Sequence, residues 1–466
     1  MEEGKCFIGL EIGSSKIAAV VGLQQQTEIK VIGFSERKIL PSEEVIKYGN
    51  VENAQITCEH IQDVLEDLAK DFERGDYEFQ LNSVNINLAN LSIQTHTKNA
   101  RVVTSGGMNR IMSEDIKRLT DDAINSYKLP PGYSLIHSLP RDFYVNDEKT
   151  MANVVGKIGN TLSADFSMMT TKTENLKNLL ECVNQVSAKG TSSGYLQVEN
   201  IYLNTVADSC ALLNNSVQEP YTKKEGIAIV NIGAEMTQIS VFHGDTMRYQ
   251  SVLPIAGNTI NADLEKTFGL NFNEAEQLKL VCSTMMDGQV EDVPVVVIEK
   301  KLGMPSTEVY LKNAMLVIEA RLKEIAALVH AELYRSGFKN HLQNGIILTG
   351  GTSKFGNIAA LFKKVIQVNG IRTATFNTAL QFGSFKHLRN PKYSTLLGLI
   401  VAPAFLFDRR MDDRILTPKP IENYFPEPDI VPPSAPKPGT DNSGGIGSIF
   451  RSIFKKSNGD LGDTYN

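Results

Sequence analysis

Two stretches of this chain carry the same pattern of apolar and polar positions. "FIGLEIGSSKIAAVVG" begins at Phe7, and "IAIVNIGAEMTQISVFHG" begins at Ile227. Each is an apolar run ending in Ile-Gly, then a short polar turn, then a second alternating run that ends in Gly. Alternation of period two on both sides of a glycine-bearing turn predicts a β-hairpin. The second turn reads as two residues longer than the first. Like hairpins roughly 220 residues apart predict two similar α/β halves facing one another.

Other periods fill in the frame. "KNAMLVIEARLKEIAALVHAELYRSGF" has apolar residues at helical spacing and ends at Gly337, a fitting C-cap. Core packing is the simplest use of its stripe. "NGIILTGGTSKFGNIAALF" follows and reads as a buried strand, a Gly-Gly turn and a helix. Between the halves, "SVNINLANLSIQTHTKNARVV" alternates as strands do. "SEDIKRLTDDAINSY" then reads as a helix with Ser113 as its N-cap. Residues 84–167 therefore look like an inserted small α+β domain. After Phe407 the character changes: eight of the chain's 18 prolines lie between Pro418 and Pro438. Such a stretch, with Ser, Gly, Asp and Asn around it, predicts a disordered and fairly extended linker.

Beyond the linker, Ile446, Ile449, Phe450, Ile453 and Phe454 recur at helical spacing, while Arg451, Lys455 and Lys456 lie off the stripe. This is an amphipathic helix with a basic flank, a form that lies in a membrane interface. Docking into a partner's groove is the rival use. Unstructured tail is a third reading, in which five large apolar groups are left in water.

Composition narrows the classes. The chain has 466 residues, enough for two or three domains with buried cores. Its net charge of −6 gives no global basic field, which speaks against nucleic acid as a partner. The five cysteines (Cys6, Cys58, Cys182, Cys210 and Cys282) form no CxxC pair and read as reduced thiols of a cytoplasmic protein. The seven histidines are scattered, so no side-chain metal cluster is expected. "MEEGKCFIGLEIG" has acids where a signal peptide needs a basic segment, and the apolar window "TLLGLIVAPAFLF" is shorter than the ~20 residues of a bilayer span.

The glycine turns carry the candidate chemistry. A turn grips phosphate when its backbone N–H groups point into a cleft and no Cβ blocks the approach. Gly13, Ser14 and Ser15 form such a turn with Lys16 supplying a charge, and Gly233 marks the facing one. In "LTGGTSKF", Gly350 and Gly351 let the backbone pass flat against an adenine or ribose, with a helix N-terminus next in line.

Hairpin, insert, second hairpin and TGG turn together resemble the actin, Hsp70 and sugar-kinase nucleotide-binding superfamily, and within it the bacterial cell-division FtsA family. "GLEIGSSKIAAVVG" and "IVNIGAEMTQISVF" look like its two phosphate loops and "GIILTGG" like its adenosine motif, which extends to Thr352. "PIAGNTINADL" and "AEQLK" resemble segments approaching phosphate and ribose, which nominates Gly257, Asn258, Glu276 and Lys279. "LNTVADSCALL" and "YSTLLGLI" look like the two helices of the hinge.

The resemblance implies two actin-like, ribonuclease-H-like halves around a nucleotide cleft, with ATP and Mg²⁺ as cofactors. It implies a first half from residues 1–83, 168–200 and 385–407, with the insert at 84–167. It places the second half at 201–245 and 318–384, its outer part at 246–317, the linker at 408–444 and the terminal helix at 445–457. It further implies a scaffold on the cytoplasmic face of the membrane that binds FtsZ through the outer part and downstream division proteins through the insert. Self-assembly into protofilaments and anchoring to anionic lipid through the tail complete that picture.

The departures matter as much. Superfamily enzymes carry Asp in both loops, to hold Mg²⁺ through water and orient the attacking water. Here those places hold Glu11 and Asn231, and the glycine-rich second turn is replaced by Ala234, Glu235 and Met236. Glu235 reads as facing solvent; the alternative is that it points inward, where it would repel a γ-phosphate. ATP binding with slow or absent hydrolysis is the expectation. A small-molecule kinase of the same superfamily and another actin-like membrane adaptor, as in a pilus or secretion apparatus, are the alternatives.

Overall fold

The first hairpin forms where its alternation places it. β1 (Lys5–Ile12) and β2 (Lys16–Gln25) run antiparallel, with Ile12 opposite Ile17 at the turn. The computed structural model describes residues 4–73, 82–150, 154–187, 195–213, 225–244, 246–285, 294–298 and 307–408. The linker beyond Asp408 and the terminal helix expected at 445–457 lie outside the described residues.

After the hairpin come β3 (Glu28–Lys38), the short pair β4 (Ile46–Lys47) and β5 (Asn50–Val51), α1 (Ala54–Glu73) and β6 (Ser83–Leu88). The insert supplies β7 (Gln94–Val103), α2 (Ser113–Asn125), β8 (Tyr133–Val145), β9 (Glu148–Thr150) and β10 (Thr161–Lys172). The chain returns through α3 (Thr173–Asn184) and β11 (Gln197–Leu203) and crosses over on α4 (Asn204–Leu212). The second half holds β12 (Ile227–Ile232), β13 (Thr237–His243), β14 (Thr246–Leu253), α5 (Gly257–Phe268) and α6 (Phe272–Met285). It continues with β15 (Pro294–Ile298), β16 (Thr307–Tyr310), α7 (Leu311–Arg335), β17 (Ile346–Thr349), α8 (Ile358–Ile366) and β18 (Ile371–Thr373). The chain then comes back through β19 (Leu380–Gln381) and α9 (Ser394–Asp408).

The two halves share one plan. The first sheet has the order β11-β6-β1-β2-β3-β19, and the second the order β14-β13-β12-β17-β18. In each, three antiparallel strands are followed by two parallel ones laid on the side of the first strand. This is an actin-like α/β architecture with a small domain inserted in the first half.

Several boundaries differ from those expected. β6 pairs with β1 in the first sheet, so the insert's own sheet (β7-β10-β8-β9) starts at Gln94 and not at 84, and it runs on to Lys172. β14 pairs with β13, so the outer part of the second half begins after Leu253 and not at 246. β19 pairs with β3, which brings the chain back to the first half before 385. In each case a strand that alternates like its neighbours conceals which sheet it joins. The second turn is also not longer than the first. Ile232 lies opposite Thr237 as Ile12 lies opposite Ile17. Polar Thr237 hides the start of β13, and its hydroxyl is satisfied by donating to the Ile255 carbonyl at 2.6 Å.

Periodicity places the helices well. Ala314, Ile318, Leu322, Ile325, Val329 and Leu333 of α7 are buried, and Gly337 follows its end with φ +74. In α2, Ser113 is the first helical residue, with Met112 in the cap position. Asp115 reaches back to accept the Met112 amide at 2.9 Å and so takes the capping role assigned to Ser113. The insert has its own core, in which Ile111, Leu119, Leu162 and Phe166 are buried.

The hinge helices pack closely. A Cβ at Gly398 of α9 would lie 2.0 Å from the Ala207 carbonyl of α4, so only glycine allows this approach. The insert touches both halves: Arg248 of β14 pairs with Asp142 of β8 at 2.7 Å, and Leu203, the last residue of β11 in the first half, donates its amide to His137 Nε2 at 3.1 Å.

Candidate functional site

The two glycine turns close alike. Gly13 donates its amide to the Lys16 carbonyl at 3.0 Å, and Gly233 to the Met236 carbonyl at 3.0 Å. Each turn thereby becomes a fixed loop of backbone at the inner end of a hairpin, one from each half. Ser15 is held from behind, its carbonyl accepting from Ile39 N at 3.0 Å.

Lys16 starts β2 with its side chain nearly buried, and its Nζ lies 2.5 Å from Glu11 Oε2. The Tyr393 ring centroid is 5.7 Å from the same nitrogen. Beyond the ion pair, neither Lys16 Nζ nor Glu11 Oε2 makes a hydrogen bond among the described residues. A buried ammonium has three donors, so this one is under-satisfied and suits an anion beside the first turn.

Asn231 is engaged too. Its Nδ2 donates to Asp208 Oδ2 at 2.8 Å, and Ser394 and Thr395 each donate to Asp208 Oδ1 at 2.9 Å. Asp208 was not foreseen from the sequence. Burial pushes its carboxyl up to about 6, against the pull of these three donors, with Glu11 adding to the rise. The available signal was one acid in the otherwise small and apolar run "NTVADSCAL".

The second turn rests on α5. Gly257 N donates to Gly233 O at 3.1 Å and Asn258 N to Ala234 O at 2.6 Å. The amides of Gly257 and Asn258 thus brace the turn rather than face outward. A Cβ at Gly257 would meet Thr352 Oγ1 at 2.6 Å, Gly233 O at 3.2 Å and Lys279 Nζ at 3.5 Å, so this glycine is where the three segments converge. Thr352 Oγ1 donates to Gly233 O at 2.8 Å. Lys279 is buried, which lowers its pKa, while Glu276 at 2.6 Å acts to raise it; Asn261 donates to the same Glu276 oxygen.

Gly350 has φ +87, and a Cβ there would come within 2.4 Å of Asn231 Oδ1. Gly351 is exposed, with nothing within 4 Å of its Cβ position. The helix N-terminus expected after them comes later. A single 3-10 turn spans Gly351–Lys354, and α8 opens only at Ile358.

Glu235 is the largest correction. It points inward, where its Oε2 accepts from Ser14 Oγ at 2.6 Å and from the Tyr48 amide at 2.5 Å. The structure thus gathers Glu11, Gly13, Ser14, Ser15, Lys16, Asn231, Gly233, Ala234 and Glu235 at the facing turns. Glu276, Lys279, Gly350, Gly351 and Thr352 lie beside the second turn. The tail residues Ile446, Ile449, Phe450, Arg451, Ile453, Phe454, Lys455 and Lys456 lie outside the described residues.

The family model described as cell division protein FtsA matches residues 228–398, and the model for the SHS2 domain inserted in FtsA matches residues 91–170. The chain belongs to the FtsA family. The cell division protein FtsA of Pseudomonas aeruginosa is 26% identical over 405 residues, covering 86% of this chain and 90% of that protein. FtsA of Escherichia coli K12 is 25% identical over 404 residues, covering 85% and 90%. Among solved structures, a PilM-PilN type IV pilus biogenesis complex aligns with a TM-score of 0.55 at 16% identity, over 85% of this chain and 97% of that one. That likeness confirms the actin-like fold. FtsA membership assigns the chain a role in cell division. No described helix of this FtsA relative is long and apolar enough to cross a membrane. Among its described residues, no three His, Cys, Asp or Glu side chains gather as a metal site.

Proposed function

We propose that this FtsA-family chain is an actin-like ATP-binding scaffold that tethers FtsZ filaments to the cytoplasmic face of the membrane. The observation that carries the nucleotide reading is the pair of identically closed turns, one on each half, with the under-satisfied Lys16 between Glu11 and Tyr393. Lys16 and the first turn would hold the phosphates. Gly351, Thr352, Glu276 and Lys279 would border the adenosine.

Mg²⁺ fits as an ion carried by the phosphates, since it keeps most of its water and needs few protein ligands. Glu11 is the acid nearest to serve it through water, and bound Mg²⁺ would neutralise phosphate charge. Asn231 has no carboxylate and its amide is tied to Asp208, so this position offers no base to activate water. Hydrolysis is therefore slow or absent, below the ~1–100 per second of competent kinases. Lys16→Ala is expected to weaken ATP binding about tenfold or more, the scale of one charge-assisted bond. Titration calorimetry reads this, and an unchanged affinity refutes the assignment.

The tail completes the scaffold. Its apolar stripe and basic flank suit weak, reversible contact with anionic lipid, and copies arrayed on a protofilament would bind through avidity. By family, the outer part of the second half would meet FtsZ, and the insert downstream division proteins. Co-sedimentation with anionic liposomes tests the anchor: Phe450→Glu with Phe454→Glu is expected to abolish pelleting, and retention refutes the membrane reading.

A further inference from the structure

Glu235 sits in the second turn, after Gly233 and Ala234, and its side chain reaches across to the first half. Both groups that bond its Oε2 belong to that half: the Ser14 hydroxyl to the first turn, and the Tyr48 amide to the corner between β4 and β5. The corner is rigidly set. Tyr48 has φ +46 and Gly49 φ +76, and a Cβ at Gly49 would lie 1.5 Å from the Ala89 carbonyl. The fold itself therefore aims the Tyr48 amide at Glu235. Met236 follows from the other side, its Cε 3.2 Å from the same Cβ position.

A hydroxyl and a backbone amide from separate segments, converging on one anionic oxygen, is how proteins hold a phosphate oxygen. Here the anion is part of the chain. We propose that Glu235 is a built-in substitute for the outermost phosphate of a nucleotide. It latches the two turns together, so the cleft takes a nucleoside diphosphate with the latch shut and a triphosphate only once Glu235 has been displaced. This deepens the nucleotide reading above and rests on it.

Two costs fall on the triphosphate alone. Its third phosphate competes with Glu235 for the Ser14 and Tyr48 donors, and it meets the carboxylate's like charge at short range. The shorter phosphate chain of a diphosphate leaves both donors with Glu235. The residue thus sets the ratio of triphosphate to diphosphate affinity.

Titration of the full chain with ATP and with ADP, both with Mg²⁺, tests this in wild type, Glu235→Ala and Glu235→Gln. Glu235→Ala is expected to bind ATP about tenfold tighter, the scale of one regained charge-assisted hydrogen bond, while ADP affinity moves less than about threefold. Glu235→Gln keeps an acceptor of the same length without the charge and is expected to shift the ratio the same way by less; it carries the test if the alanine variant does not fold. Equal shifts for both nucleotides, no shift, or a loss of ATP affinity overturns the latch and leaves nucleotide binding standing. Failure of every variant to bind either nucleotide overturns the nucleotide reading and the latch with it.

Discussion

Asp208 is a carboxyl enclosed by α4, α9 and β12, fully inside and fed by three donors. Its folded value, about 6, lies above the ordinary 3.8, so the folded state holds its proton more firmly than the unfolded chain does. The stability this proton contributes is complete below about pH 4 and is lost as pH rises through about 6. A shift of that size corresponds to about 3 kcal/mol. Asp208→Asn is expected to remove this slope, so that its urea midpoint gains on the wild type's between pH 4 and pH 7; parallel curves refute the assignment. His137 works the other way. Burial holds its imidazole down at about 3, so its contribution is present above about 6.5 and is lost as pH falls through about 3. Neither residue was legible in the sequence, because their partners are remote. Ser394 and Thr395 stand 186 and 187 residues from Asp208, and Ser14 stands 221 from Glu235. A local reading sees an acid in a turn and sends it to solvent.

Elements were more legible than residues. Period-two alternation located both hairpins, and helical spacing located α7 with its glycine end, because those signals lie within one element. Strand allegiance lies between elements, so β6 and β14 were assigned to the wrong neighbours. The same locality explains the turn lengths: Thr237 is a strand residue by its partner and a turn residue by its polarity. At the hinge, contact between α4 and α9 depends on Gly398 having no side chain. Gly398→Val is expected to destabilise the fold by about 3 kcal/mol through overpacking, read as a lower melting temperature. Gly351→Ala, with nothing within 4 Å of its Cβ, is the matched control. It is expected to stay within about 0.5 kcal/mol of wild type, whereas Gly351→Phe is expected to weaken ATP binding by filling the space left for adenosine. Normal ATP affinity in the phenylalanine variant moves adenosine elsewhere.

At the scale of the molecule, one sheet plan occurs twice, and the candidate phosphate grip is divided between the copies. The site is thus divided across two bodies, and the closely packed helices α4 and α9 lie between their sheets. The insert is not a passenger on this arrangement. Its β8 holds β14 of the second half through Asp142 and Arg248, and it reaches the last residue before α4 through His137 and Leu203. The insert is therefore tied by one contact to the root of α4 and by a second to the opposite half.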